Sequence, residues 1–167
     1  METVAQMQKQ FIDNSTSLFR ECILDDQFIQ LQALQDESNP NFVVEVVALF
    51  FDDSEKLLKN LANSLQQQVV DFKKVDALIH QFKGSSSSSI DTFFLLSTVK
   101  NTSIGAQRVK NLCVAFRNVC EEKNLDGCQR CLQQIEREYY LVKNQLQALF
   151  GLGSRILQAG GAIPMIS

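Results

Sequence analysis

Apolar residues recur every three or four positions along most of the chain, the pattern of helices that each bury one stripe. Val4, Met7, Phe11, Leu18, Phe19 and Cys22 keep that spacing through residues 2–22 and predict a first amphipathic helix. Asp25 and Asp26 then read as an N-cap and first-turn acid for a short second helix through Leu31 and Leu34, closed by Asp36 to Asn39. Pro40 signals a third start, because a proline lacks only a donor that a first turn cannot use. From there Phe42, Val43, Val46, Leu49, Phe50, Leu57, Leu61 and Leu65 describe a long helix ending at Gln66-Gln67-Gln68. Asp71 caps a fourth, whose apolar side gathers Phe72, Val75, Leu78, Ile79 and Phe82. A fifth carries Ala106, Val109, Leu112, Cys113, Phe116 and Cys120, closing near Lys123-Asn124. The sixth runs from near Asp126 through Cys131, Leu132, Ile135, Tyr139, Val142, Leu146 and Leu149 to Gly151.

Helices three to six are long and mostly joined by short connections, which predicts an all-α antiparallel four-helix bundle, with the first two helices capping one end or flanking it. A length of 167 residues at 45% hydrophobic content suits one core. The expected domain is therefore residues 1–151, with an extended and partly mobile tail over 152–167, where Gly153, Gly160, Gly161 and Pro164 fall. A net charge of −3 and a pI near 5.2 leave no basic stripe for phosphate backbones, so the expected partners are proteins, not nucleic acid. Apolar runs fall short of the roughly 20 residues a bilayer crossing needs, and Met1 is followed by Glu2 instead of a basic-then-apolar leader. No membrane association is expected, and the chain reads as intracellular. Five cysteines, an odd number, read as reduced thiols. Cys128 and Cys131 have metal-ligand spacing but no histidine or glycine-rich knuckle nearby, so they are expected as buried core thiols and no metal site is expected.

The candidate chemistry lies at His80, the one histidine of the chain. At about 100° per residue, Lys73, Asp76, Ala77, Lys83, Gly84 and Ser87 fall within roughly 60° of it on the fourth helix, a strip of polar or small side chains away from the apolar stripe. The imidazole should face solvent. Gly84 at i+4 costs about 1 kcal/mol in helix propensity and opens room for another protein to approach. Lys83 at i+3 is within reach of a group carried on the ring, where an ammonium can bind phosphate oxygens. No glycine-rich nucleotide loop and no alternation of strands with helices is present, so the chain is not expected to phosphorylate itself.

The run His80-Gln81-Phe82-Lys83-Gly84-Ser85-Ser86-Ser87-Ser88, followed later by Ile104-Gly105-Ala106-Gln107-Arg108-Val109-Lys110, resembles the signature of the plant histidine-containing phosphotransfer proteins. Leu24-Asp25-Asp26-Gln27-Phe28, Leu49-Phe50-Phe51-Asp52-Asp53, Cys128-Gln129-Arg130-Cys131-Leu132-Gln133-Gln134 and Ile156-Leu157-Gln158-Ala159-Gly160-Gly161 extend the resemblance over nearly the whole chain. It implies a helical phosphocarrier with no kinase activity of its own, taking a phosphoryl group from receiver domains of hybrid sensor kinases and passing it to response regulators, chiefly in cytokinin signalling. It implies His80 as the phosphorylated residue, with Lys83, Gly84, Gln81, Ser87, Leu24, Gln27 and Phe28 binding phosphate or partner. No cofactor is expected on this chain, the magnesium ion belonging to the receiver. The implied state is a monomer, cytoplasmic and nuclear.

One departure from the family pattern is large. Residues 89–103, fifteen in all, stand between the serine run and Ile104, where the family pattern passes almost directly from one to the other. Within them Phe93-Phe94-Leu95-Leu96 will seek cover, by extending the fourth helix, folding onto the bundle end or forming a self-association patch. If this insertion covers His80, the alternative is a non-transferring binding module.

Overall fold

In the computed structural model, which describes residues 1–21, 24, 26–84 and 107–166, with backbone alone at 26, 27, 82–84 and 107–110, the periodic segments are helical. They are α1 (Val4–Arg20), α2 (Asp26–Leu34), α3 (Phe42–Leu65), α4 (Phe72–Gly84), α5 (Gln107–Glu121) and α6 (Leu125–Gln158). The described residues contain no β-strand. The insertion, and with it the three fates expected for its apolar run, lies outside the described residues.

Polar side chains fix where the helices begin by taking up N–H groups that a first turn leaves free. Thr3 and Gln6 form a reciprocal capping box on α1, the Gln6 N–H donating to Thr3 Oγ1 at 3.2 Å and the Thr3 N–H to Gln6 Oε1 at 2.8 Å. Asp71 Oδ1 accepts from the N–H groups of Lys73 and Lys74 at 3.1 and 3.2 Å, as its N-cap reading requires. Asn124 accepts from the Gly127 N–H at 3.0 Å to start α6. A Cβ on Gly127 would meet Asn124 Nδ2 at 2.9 Å and Val119 Cβ at 3.2 Å, so this tight α5–α6 corner requires glycine. In α3 the N-cap Asn41 makes no side-chain cap bond; Gln35 Oε1, from beyond the end of α2, accepts the Val43 N–H at 3.1 Å instead.

Helices α3 to α6 form the antiparallel bundle. Along the α4–α5 seam the Cys120 thiol donates to the Phe72 carbonyl at 3.1 Å and Arg117 pairs with Asp76, so the two chains run in opposite directions. Between α3 and α6, Phe51 meets Tyr139 while Val43 lies near Gly151 and Gly153. The Tyr139 hydroxyl, buried, donates to the Phe51 carbonyl at 2.9 Å, its ring edge-on to Phe51 at 6.1 Å. Burial, with Glu55 beside it, holds this phenol far above the ordinary tyrosine range.

The expected helix end at Gly151 and the extended tail beyond it need correction. α6 continues to Gln158 and, at 1.5 Å per residue, is about 51 Å long. Leu152, Gly153 and Ile156 prolong the buried stripe of Leu146 and Leu149, and burying those side chains outweighs the roughly 1 kcal/mol that an exposed mid-helix Gly151 costs. Against this extension packs α1, with Phe11 close to Gly153, while α2 lies on α3. Gly160, at φ +84°, then reverses the chain, and the Gly161 N–H returns to the Ile156 carbonyl at 2.9 Å. The strap that follows is tied down: Gln8 Nε2 donates to the Ala162 carbonyl at 2.8 Å, and buried Gln32 donates to the Pro164 carbonyl and accepts from the Ile166 N–H at 3.3 and 3.2 Å.

Candidate functional site

Helix α4 turns its apolar side inward with Val75 and Ile79 at 0% exposure and Phe72 and Leu78 half-buried. The opposite side presents Lys73, Lys74, Ala77, His80 and Gln81 to solvent. His80 therefore points away from the core, as the 100° construction requires. The helical backbone runs on through Lys83 and Gly84, placing them at i+3 and i+4 from His80. The side chain of Lys83 and the whole of Ser87 lie outside the described residues, as does the side chain of Gln27.

Two expected contact residues are in the wrong place for that role. Leu24 and Phe28 are each 1% exposed and belong to the core. With Leu31 they pack inward, because a helix this short holds its place by burying such side chains, while Leu34 at the end of α2 is left exposed. Leu24 and Phe28 offer nothing to a partner.

One feature beside His80 went unmarked in the residue pattern. Asp76, one turn before it on α4, accepts two hydrogen bonds from Arg117 of α5, from Nε at 3.0 Å and Nη2 at 3.3 Å. The side chains are 35% and 34% exposed for Arg117 and Asp76, at the edge of the seam. The bond to Asp76 holds the Arg117 guanidinium above its ordinary pKa. Arg117 follows the core residue Phe116 and precedes Cys120 by three, so its place on the α4-facing edge was open to inference.

Cys120 sits at the far end of the same seam, with Cys128 beside it. Burial pushes Cys128 up to about 12, with Cys120 and Cys131 adding to it, and burial also raises Cys120 and Cys131. Cys120 and Cys128 are core residues as expected; Cys131 is only half-buried. Among the described residues no three His, Cys, Asp or Glu side chains are grouped to hold a metal ion. None of the described helices is long and apolar enough to cross a membrane.

Comparison with known proteins bears on this surface directly. The Hpt domain family model matches residues 45–89, most of α3 and all of α4, and stops at the first residue of the insertion. Histidine-containing phosphotransfer protein 1 of Arabidopsis thaliana is 56% identical over 163 residues, 98% of this chain and 96% of its own length. Pseudo histidine-containing phosphotransfer protein 6 of the same plant is 46% identical over 151 residues, covering 89% of this chain and 88% of its own. The crystal structure of a histidine-containing phosphotransfer protein from maize superposes with a TM-score of 0.74 at 40% identity, covering 90% of this chain and 99% of that one. The maize chain is thus matched almost end to end while part of this chain is left over.

Proposed function

The chain belongs to the plant histidine-containing phosphotransfer proteins, and from that membership we propose that it mediates a phosphorelay by carrying a phosphoryl group on His80. The observation that supports this reading is the outward imidazole on the solvent face of α4, one turn from Gly84 and free of the apolar stripe. An unprotonated ring nitrogen attacks the phosphorus of a receiver's aspartyl phosphate. The N–P bond forms, the acyl O–P bond breaks, and the carboxylate leaves with the electron pair; the proton on the other ring nitrogen stays. Transfer to the next aspartate reverses these steps. The metal that organises the aspartyl phosphate resides on the receiver, and this chain supplies only the acceptor nitrogen and a face that admits the partner.

The partners in this reading are receiver domains of hybrid histidine kinases and response regulators, in cytokinin signalling, with the protein acting as a cytoplasmic and nuclear monomer. Around His80, Gln81, Lys83, Gly84 and Ser87 make the contact. The experiment is phosphotransfer from a labelled receiver in the presence of magnesium. Wild type takes up acid-labile, base-stable label and His80→Gln takes up none at unchanged helicity; label on the variant would remove His80 from the relay.

A second reading is favoured by one observation, surplus length: the maize structure is matched over 99% of its own chain while about a tenth of this one is left unmatched, and the sequence carries its extra segment, residues 89–103, shortly after His80. In it the chain binds receivers without exchanging phosphate. Transfer that is absent in the full chain and present after deletion of 89–103 would establish that reading.

A further inference from the structure

A carboxylate one helical turn from the acceptor is a poor neighbour for phosphoryl transfer. Asp76 precedes His80 by four residues on α4, which puts about 5–6 Å between their Cβ atoms. The incoming group brings close to two negative charges. The only acidic side chain between Asp71 and Gln81 is this one, and it is covered: Arg117 reaches across from α5 and engages both carboxylate oxygens, Nε to Oδ1 at 3.0 Å and Nη2 to Oδ2 at 3.3 Å. The planar fork fixes the pair in direction as well as in charge. Glu121, one turn further along α5, lies on the side of Arg117 remote from His80 in chain order, and the exposed Lys73 stands two turns below the imidazole.

We propose that Arg117 is a positioning residue for phosphoryl transfer: by neutralising Asp76 and drawing its carboxylate toward α5, it keeps the surface beside His80 open to an anion. The inference rests on the reading of His80 as carrier and names the charge control of that same site. A pair this exposed adds little as a mere staple between helices, since solvent and salt screen it. Its consequence lies instead in what an uncovered Asp76 would do to an arriving phosphate.

The test separates charge from stapling. The chain has one histidine, so acid-labile label that is absent from His80→Gln reports His80 alone. Two donors are used on the full chain: a phosphorylated receiver domain with magnesium, and phosphoramidate, a small donor that needs no docking. From the zwitterion of phosphoramidate the P–N bond breaks, ammonia leaves with the electron pair, and the imidazole nitrogen takes the phosphoryl group. Arg117→Gln is expected to be labelled about three- to tenfold more slowly by either donor, the size of an added unit charge at this range in a mostly aqueous surround. The double variant Asp76→Asn, Arg117→Gln is expected to recover to within about twofold of wild type. Asp76→Asn alone is expected at or above the wild-type rate, an outcome that needs no variant lacking the arginine to fold. A double variant as slow as Arg117→Gln, or Asp76→Asn slower than wild type, would overturn the proposal, because both results follow from loss of a staple. Should wild type accept from phosphoramidate but not from the receiver, the carrier reading fails while the phosphoramidate rates still decide the role of Arg117.

Discussion

At the scale of single residues, the features that follow from spacing along one helix were legible and those that join two helices were not. His80 falls outside the apolar stripe by arithmetic on residue number, and its exposure follows. The Asp76–Arg117 pair depends on the register between α4 and α5, which no periodicity within either helix encodes. Lys83 belongs to the first kind. In the proposed relay its ammonium, carried at i+3 on the continuous backbone of α4, would bind a phosphoryl group on His80, and a hydrogen bond to a charged group contributes about 1.5–3 kcal/mol. Lys83→Ala should therefore accept phosphate about tenfold more slowly or worse from a labelled receiver. An unchanged rate would exclude the lysine from the site. The cysteines show burial setting reactivity. The thiolate is the reacting form, and burial has pushed Cys128 up to about 12, leaving on the order of one part in ten thousand ionised at pH 8. In the folded protein, alkylation resolved by peptide mass should find Cys131, half-buried, modified well before Cys128. Equal rates would mean that the α5–α6 corner opens freely.

At the scale of elements, the six described helices could be read from apolar periodicity, and the starts of α3 and α4 from Pro40 and Asp71. The end of α6 could not. Gly151 looks like a stop because glycine costs helix propensity, yet the stripe continues through Leu152 and Ile156 and tertiary burial decides the matter. The C-terminal strap was equally hidden, since its anchors are glutamines from other helices. Gln32 is the informative one. Its buried amide pairs with the Pro164 carbonyl and the Ile166 N–H in the manner of a neighbouring strand. Gln32→Leu keeps the volume roughly but leaves both groups without that partner, a loss of about 1–3 kcal/mol. The expected signature is local: fast hydrogen exchange at the Ile166 amide and a lower melting temperature, with labelling of His80 by phosphoramidate unchanged. Protection at Ile166 as strong as in wild type would show that the strap holds by apolar contact alone.

At the scale of the whole molecule, the question is whether a bundle can carry fifteen extra residues in one connection. Lengthening a connection from about 4 to about 19 residues costs only about 1.4 kcal/mol in closure entropy, because the cost grows with the logarithm of length. Contacts that hold the bundle are made among the described residues. Phe72 meets Cys120 and Asp76 meets Arg117 across the α4–α5 seam, while Tyr139 meets Phe51 and Lys143 meets Glu55 between α3 and α6. None of these groups belongs to residues 89–103. Deleting the segment should therefore leave the helical content of the other regions intact and raise stability by no more than the closure term, a melting temperature higher by about 3–6 °C for a chain of this size. The bundle and the relay can then be judged separately. If the deletion variant melts lower, the apolar run Phe93 to Leu96 is part of the core, and the insertion is structure rather than addition. If it melts as expected and takes phosphoryl groups faster from a receiver but not from phosphoramidate, the segment acts on docking alone, since the small donor meets the same imidazole without a protein face to accommodate.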